Sequence, residues 1–318
     1  MLLNNDCFTA ATLLDSPYSR RLKPRNVELM AHGYTNEVLR NLQLTELEIL
    51  KVAANLCSKY DITWFLDGGT ALGARRHGGF IPWDDDIDIG MPRESYERFL
   101  SVARKNLSPE LYLVTPEAPG VAGQFSKICK KGTRFWTQET IDAHFDQGIF
   151  IDVFPYDYMS GDIKESKRQL AEAKKWSRIS YLYHSANINI PDKGVRGAAE
   201  RLACHIAHPL LKALFSQSQI VANFNKGISI PQEDQSSLMI TFAYPYYQPI
   251  DKRMMFPTSD VEFEGCIFPT YYDIEAYLEE MYGENWTELP PFEQRKTHAP
   301  LVLDFGDGVN AISASNFR

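Results

Sequence analysis

The sequence has little cysteine, and the cysteines it has lie far apart. There are five, an odd number, and none stands in a C-x-x-C pair. This excludes a disulfide-stapled scaffold and a zinc ribbon, and it favours a reducing compartment. No apolar run approaches the roughly 18 residues of a membrane span. The first ten residues also lack the basic start of a signal peptide, so we expect a cytoplasmic protein.

An excess of positive charge is missing as well. Lysine and arginine number 33 against 41 aspartates and glutamates, which gives a net charge of −8. A broad basic field that would hold nucleic acid is therefore absent, and we expect no nucleic-acid partner. Hydrophobic residues make up 44% of the chain and charged residues 23%, which is ordinary globular composition with ample material for a core.

Hydrophobic periodicity predicts a chain of mixed helices and strands, that is, an α+β fold. The first core helix is predicted to begin at Thr45, which forms a capping-box pattern with Glu48, and to end near Tyr60. Four segments are predicted: an N-terminal extension (1–44), a catalytic core (45–160), a mainly helical segment (161–235) and a C-terminal segment that packs back on the core (236–318). Strands are predicted at 62–66, 86–89, 111–115, 123–129, 148–154 and 261–268, and further helices at 70–76, 96–107 and 274–282.

Four carboxylates fall within five positions of one predicted strand, at Asp84, Asp85, Asp86 and Asp88. Strand alternation places Asp86 and Asp88 on one face, and the isoleucines between and after them on the other. Such crowding is unfavourable without a counter-charge, and Mg²⁺ typically binds a few carboxylates together with substrate phosphate oxygens. An exposed acidic turn without a metal is the alternative. Asp84 and Asp85 are favoured as turn-forming neighbours over ligands.

Two further features lie in the same predicted core. Gly68, Gly69 and Thr70 separate a predicted strand from a predicted helix, where backbone amides can approach a phosphate. An ordinary turn would have the same pattern. Asp152 interrupts an otherwise apolar strand, which favours a ligand or catalytic role over a strand-end cap.

Taken together, these segments resemble the LicD family of choline-phosphate transferases, which is related to fukutin and fukutin-related protein. The layout is also similar to the nucleotidyltransferase fold of DNA polymerase beta-like enzymes. That similarity implies a small mixed sheet flanked by helices, plus a helical insertion. The motifs that carry the resemblance are residues 68–73, Arg75 with His77, residues 81–88, 150–157 and 282–286, Pro290 and His298.

The resemblance implies transfer of phosphocholine from CDP-choline to a hydroxyl group, with release of CMP. The acceptor would be a cell-surface glycan, such as a lipopolysaccharide or teichoic-acid precursor. Mg²⁺ or Mn²⁺ would be held by Asp86, Asp88 and Asp152, which are the expected catalytic residues, and Asp152 could also accept the proton of the attacking hydroxyl. We expect the substrate to contact Gly68, Gly69, Thr70, Arg75, Lys127 and His298.

Alternatives remain open at this stage. A glycosyltransferase also uses a D-x-D motif to hold a nucleotide-sugar, a same-fold enzyme could transfer another CDP-alcohol phosphate, and a non-catalytic acidic module could bind calcium or a basic partner. Arg75 and Lys127 could equally be surface residues, and for His298 a structural role is favoured over contact with a phosphate. The apolar stretch 202–215 is predicted to be a core helix. A lipid-linked glycan acceptor would instead suit peripheral contact with the inner face of the membrane.

Overall fold

The structure, a computed structural model, describes residues 34–187, 194–295 and 297–312. Its helices are α1 (Asn36–Lys59), α2 (Gly68–His77), α3 (Arg93–Asn106), α4 (Gln138–Asp142), α5 (Ile163–His184), α6 (Val195–Leu214), α7 (Gln217–Ile228), α8 (Lys252–Met255) and α9 (Ile274–Tyr282). Its strands are β1 (Phe65–Leu66), β2 (Asp88–Pro92), β3 (Leu111–Val114), β4 (Ser126–Lys130), β5 (Arg134–Trp136), β6 (Phe150–Ser160), β7 (Gln235–Ile240), β8 (Ile250–Asp251), β9 (Ser259–Phe263), β10 (Cys266–Thr270) and β11 (Val302–Asp304).

A mixed sheet of seven strands organises the fold and confirms the α+β prediction. Five strands follow the order β1-β2-β6-β4-β3, β7 pairs with the far end of β6, and β8 pairs with β7. The β2–β6 pair is parallel and the remaining pairs are antiparallel. Because β6 is long and central, the side chains of its first half lie next to those of β2 and β4.

The helix that packs under the sheet, α1, begins well before the predicted start at Thr45, so that prediction was wrong. Thr35 is its N-cap, and the side chain of Thr35 accepts a hydrogen bond from the amide of Val38. Thr45 lies inside the helix, where its hydroxyl donates to the carbonyl of Asn41 at 2.8 Å. A threonine hydroxyl can satisfy itself on the preceding turn, so a capping-box pattern alone does not locate a helix start. The predicted end near Tyr60 is confirmed.

Two strand predictions differ from the structure. The acidic segment enters β2 only at Asp88, so Asp86 lies in extended chain just before the strand. The single strand predicted over 261–268 is instead a hairpin of β9 and β10. Glu264 and Gly265 at its turn both have positive φ, at 53° and 73°. A two-residue turn with both φ values positive matches the twist of the flanking strands and reverses the chain.

The helical segment and the C-terminal segment both contact the sheet. Helices α5 and α7 pack on each other and on the end of β6, around a small separate core that includes Phe224 and Phe242. Helix α9 matches its predicted bounds and ends before Gly283, whose φ is 85°. In the described part of the chain, no helix is long and apolar enough to cross a membrane.

The division of the chain into four segments stays a prediction. Residues 1–33 of the N-terminal extension and 313–318 at the C-terminus lie outside the described residues, as do 188–193 in the helical segment. In the helical segment, the prediction that residues 202–215 form a core helix was wrong, because α6 is not a core helix. The side chains of one of its faces are exposed: Leu202, Ile206, Leu210 and Leu214 are between 56% and 69% accessible.

Candidate active site

Three charged side chains stand in one row across the centre of the sheet. The register places Asp88 of β2 opposite Asp152 of β6, and Asp152 opposite Lys127 of β4. Directly opposite residues of paired strands point to the same face. Lys127 Nζ lies 2.6 Å from Asp152 Oδ1, and its ammonium also lies over the ring of Phe150, 3.6 Å from the centroid. Asp88, Asp152 and Lys127, far apart in the chain, therefore form one site.

The acidic segment before β2 adds two more carboxylates to this site. Asp84, Asp86 and Asp88 are half-buried, whereas the residues between them are buried. This alternation is that of extended chain, and it gives these three aspartates a common face even though Asp86 precedes the strand. We use the name carboxylate cluster for Asp84, Asp86, Asp88 and Asp152.

The predicted glycine turn forms one wall of the carboxylate cluster. Gly68 has a φ of 52°, and a Cβ there would lie 3.1 Å from Asp88 Oδ2. A Cβ on Gly69 would lie 3.0 Å from Asp84 Oδ2. The left-handed backbone of Gly68 favours glycine, and at either position a side chain would have to displace the carboxylate that it faces.

The backbone amides at this helix N-terminus differ in what they bind. The amide of Gly68 donates to Asp67 Oδ1 at 2.8 Å. Within the described ranges, the amides of Gly69 and Thr70 meet no protein acceptor. The buried hydroxyl of Thr70 accepts from the amide of Asp88 at 2.9 Å and so ties α2 to β2. Of the predicted phosphate-binding groups, the amides of Gly69 and Thr70 remain available, and the Thr70 side chain has a positioning role.

The carboxylate cluster carries more negative charge than its surroundings neutralise. Burial, followed by repulsion from Asp86, raises the pKa of both Asp84 and Asp88 well above the usual value. Burial also raises the pKa of Asp152 to about 6, although Lys127 opposes that change. A divalent cation would relieve this repulsion, and oxygen donors without a thiolate suit Mg²⁺ or Mn²⁺. The donor set therefore fits the predicted metal.

His298 comes to the edge of the cluster from the C-terminal segment. Its amide donates to both oxygens of Asp85, and its Nδ1 lies 3.4 Å from Asp85 Oδ1 and 3.3 Å from Asp86 Oδ2. Hydrogen bonding to Asp85 and Asp86 raises the pKa of His298 to about 11. Asp85 is itself buried and also accepts from the hydroxyl of Tyr34 at 2.8 Å. Asp85 thus connects its own segment to the chain at Tyr34 and to the chain at His298.

The three candidate ligands that lie closest together differ from the predicted metal trio. In the described part of the chain, the set of three candidate ligands whose atoms lie within 4.8 Å of one another is Asp85, Asp86 and His298. Asp86 is common to this set and to the predicted one. Of the neighbouring charges, that of Asp86 also contributes most to the raised pKa of both Asp84 and Asp88. Asp86 is therefore the central carboxylate of the site.

Of the two arginines on α2, Arg76 and not Arg75 influences the cluster. Arg75 pairs with Glu275 of α9 at the surface, where both side chains are largely exposed. Arg76 donates to the carbonyls of Trp286 and Glu288, and its positive charge lowers the pKa of Asp84. The structure therefore places the predicted substrate-binding Arg75 in a surface ion pair, because α9 packs beside α2 and supplies an acidic partner.

Sequence reasoning missed Asp67, which lies directly behind the glycine turn. Asp67 is buried and caps α2, and it accepts from the hydroxyls of Tyr156, Tyr271 and Tyr277 at 2.6–3.1 Å. These tyrosines come from β6, from the chain after β10 and from α9. Nothing local in the sequence signals this convergence, apart from a capping residue before a glycine pair.

Sequence reasoning also missed Glu46 on α1, which is fully buried. Neither of its carboxylate oxygens has a hydrogen-bond partner among the described residues. Burial, followed by the charges of Asp86, Asp85 and Asp84, raises its pKa well above the usual value. An acidic residue on the apolar face of a predicted helix was the available signal.

Comparison with known proteins gives a consistent result. The family profile described as LicD/FKTN/FKRP, nucleotidyltransferase domain, matches residues 61–191. The lipopolysaccharide cholinephosphotransferase LicD of Haemophilus influenzae is 32% identical over 263 residues, which is 82% of this chain and 95% of that relative. The human ribitol 5-phosphate transferase FKRP is 53% identical over 30 residues, 9% of this chain and 6% of that relative.

Proposed function

The chain belongs to the LicD family, and we propose that it transfers phosphocholine from CDP-choline to a hydroxyl of a cell-surface glycan, with release of CMP. The observation that carries this proposal is the row of Asp88, Asp152 and Lys127 beside the glycine turn. It combines carboxylates for a metal, a cation for phosphate oxygens and amides without protein acceptors at one place. The sheet order and this row also suit a nucleotidyltransferase fold, which is part of the proposal.

Asp86, Asp88 and Asp152 would hold Mg²⁺ or Mn²⁺. When bound, the ion would neutralise charge on the diphosphate and on the departing CMP. The amides of Gly69 and Thr70 would donate to phosphate oxygens, since they lie at the N-terminus of α2. Lys127 would supply a positive charge on the opposite side of Asp152, at 2.6 Å from that carboxylate.

In the proposed reaction the acceptor hydroxyl oxygen attacks the phosphorus that carries choline. A new P–O bond forms to the acceptor, and the bond from that phosphorus to the bridging oxygen breaks. CMP leaves with the bonding electron pair. Asp152 takes the hydroxyl proton, and its raised pKa, about 6, suits a proton acceptor at neutral pH.

The test is release of CMP from a panel of CDP-alcohols, with purified full-length chain, Mg²⁺ and added glycans. We expect release with CDP-choline, loss of release in excess chelator and its return when Mg²⁺ is restored. UDP release from UDP-sugars is the matched control for a D-x-D glycosyltransferase. Full turnover in chelator would exclude the metal, and turnover of UDP-sugars in place of CDP-choline would exclude the transfer proposed here.

A second candidate is transfer of ribitol phosphate from a CDP-alcohol. The observation that favours it is the 30-residue match at 53% identity to the FKRP proteins. The match to H. influenzae LicD extends over most of the chain, and for that reason we place choline first. CDP-ribitol in the same panel separates the two candidates.

The exposed apolar face of α6 supports peripheral contact of a cytoplasmic protein with the inner face of the membrane, where a lipid-linked glycan would be met. Four leucine and isoleucine side chains at four-residue spacing face outward, and Arg201 and Lys212 are exposed on the same helix. Sedimentation with vesicles of mixed zwitterionic and anionic lipid tests this contact. Binding should fall in Ile206→Ser/Leu210→Ser, and unchanged binding would show that the face serves another purpose.

A further inference from the structure

A cavity of about 410 Å³ opens beside the carboxylate cluster. The loop after β7, residues 241–248, forms one wall, and the end of α9 forms the other. Asp88 and the two glycines of the turn form its floor. Its volume is within the range of small-molecule sites, and it lies directly next to the groups proposed to hold the diphosphate.

Five of the thirteen residues that line the cavity are aromatic. Tyr244 packs against Phe154 with ring centroids 5.3 Å apart, and Tyr247 stacks on Tyr244 at 5.4 Å with an interplanar angle of 26°. Tyr282 stands on the opposite wall, at the end of α9. The side chains of Tyr247 and Tyr282 are nevertheless 48% and 44% exposed, so large apolar surfaces face the opening without a protein partner to cover them fully.

The electrostatic character of the cavity is negative. Asp67, Asp88 and Glu280 are among the lining residues, and none of the described residues that line it is a lysine or an arginine. Burial and then nearby carboxylates raise the pKa of Tyr247 and Tyr282, so their phenols stay neutral. Neutral rings present electron-rich faces, which attract cations, and the acidic rim adds to that attraction. The cavity end of the site is thus negatively charged, whereas the end at Lys127 carries a positive charge that suits phosphate.

One tyrosine of the wall already binds a cation of the chain itself. The ring of Tyr246 lies under Lys174, whose Nζ is 4.7 Å from the centroid, and its hydroxyl accepts from Arg178 at 3.1 Å. Tyr246 is therefore occupied on that side, and Tyr247 and Tyr282 are the rings left to face a ligand. Thr241 and Gln248 add two further polar side chains to the lining.

Resting on the proposed function, we propose that this tyrosine cavity binds the quaternary ammonium group of the donor. A trimethylammonium ion has no hydrogen-bond donor, carries a diffuse positive charge and favours contact with aromatic faces. With that group between Tyr247 and Tyr282, the phosphate that bears choline would lie toward Asp88 and the glycine turn. The cavity would then select choline over uncharged alcohols.

The test is calorimetric titration of the full chain without acceptor, using CDP-choline, CDP, CDP-ribitol and the CDP ester of 3,3-dimethylbutanol, in which carbon replaces nitrogen. We expect wild type to prefer CDP-choline over the neutral isostere by about tenfold, as for a cation on partly desolvated aromatic faces. The preference should disappear in Tyr247→Leu/Tyr282→Leu and persist in Tyr247→Phe/Tyr282→Phe. Affinity for CDP should not change. Tyr272→Leu, an exposed tyrosine outside the cavity lining, is the matched control.

Each contrary outcome has a distinct meaning. Equal affinity of wild type for the charged and neutral esters, or tighter binding of CDP-ribitol, would overturn the ammonium subsite without any variant. Parallel loss of CDP and CDP-choline affinity in the leucine variant would show that the cavity holds the nucleotide. If the preference holds but no CMP is ever released, the transfer fails and the subsite stands. If no CDP compound binds, titration with choline alone decides, and its failure to bind wild type overturns the proposal.

Discussion

Two groups of buried or half-buried carboxylates lie on either side of the glycine turn, and they differ in what satisfies them. Asp67 accepts hydrogen bonds from four donors of the protein, which are three tyrosine hydroxyls and the amide of Gly68. Among the described residues, the carboxylate cluster receives one short ion pair, from Lys127 to Asp152, and Asp86 Oδ2 lies 3.3 Å from Nδ1 of the exposed His298.

This difference distinguishes a carboxylate with a structural role from carboxylates with a proposed functional role. A carboxylate saturated by protein donors holds segments together, since its lone pairs are used and its removal leaves those donors unpaired. Carboxylates crowded against each other without donors raise the free energy of the folded chain, and the cation of the proposed function would lower it. Two aspartates near the same glycine pair, Asp67 and Asp88, therefore have opposite roles.

The largest effect should come from removing one charge of the cluster. We expect Asp86→Asn and Asp88→Asn each to reduce CMP release to the assay background, since each removes a proposed metal ligand. The melting temperature without metal should hold or rise, because repulsion between the remaining carboxylates falls. Parallel melting curves and initial rates on one preparation check both. Loss of folding in both variants, with no metal-dependent stabilisation of wild type, would show the cluster to be structural.

A smaller loss is expected for Asp152→Asn. If Asp152 accepts the hydroxyl proton, the turnover rate should fall by a factor on the order of 10² or more. Affinity for CDP-choline should fall less, because Asp86, Asp88 and the glycine turn remain. Rates and donor binding per folded molecule are the measurement. Near-normal turnover of the folded fraction would remove Asp152 from the chemistry and leave its pairing with Lys127 as its purpose.

On the other side of the turn, Asp67→Asn should act on stability. The amide lacks the negative charge that strengthens the hydrogen bonds from these donors, and its NH2 group replaces the oxygen that accepts from Tyr156 at 2.9 Å, so the free energy of unfolding should fall by about 2 kcal/mol. Glu46→Gln is the matched control. That carboxyl is buried, has a raised pKa and has no hydrogen-bond partner among the described residues, so replacing it with an amide of the same shape should change the free energy of unfolding by less than about 1 kcal/mol. Urea denaturation of both variants measures the free energy of unfolding. Equal decreases in the two variants would contradict the proposed difference between Asp67 and Glu46.

The smallest effect is expected for Arg75→Ala. Its ion pair with Glu275 is exposed, and such pairs contribute about 0–1 kcal/mol. We expect CMP release within twofold of wild type, whereas Arg76→Ala should weaken donor binding because Arg76 acts on Asp84. A loss of activity in Arg75→Ala with Arg76→Ala unaffected would restore Arg75 as the substrate-binding arginine.

The sequence by itself determined the chemical content of the site. Local alternation was enough to predict a shared face for Asp86 and Asp88, and an acid within the apolar run of β6 was enough to select Asp152. The glycine pair before α2 and the bounds of α9 also followed from short-range rules, since turn conformation and helix termination depend on a few adjacent residues.

Tertiary structure decided which of these groups meet. The parallel pairing of β2 with β6 puts Asp88 opposite Asp152, and no local pattern specifies a register between strands so far apart in sequence. Packing of the C-terminal segment brings Tyr271, Tyr277 and His298 to Asp67 and Asp85, and diverts Arg75 to Glu275. The tyrosine cavity has the same origin, because its two walls belong to segments that only the folded chain places side by side.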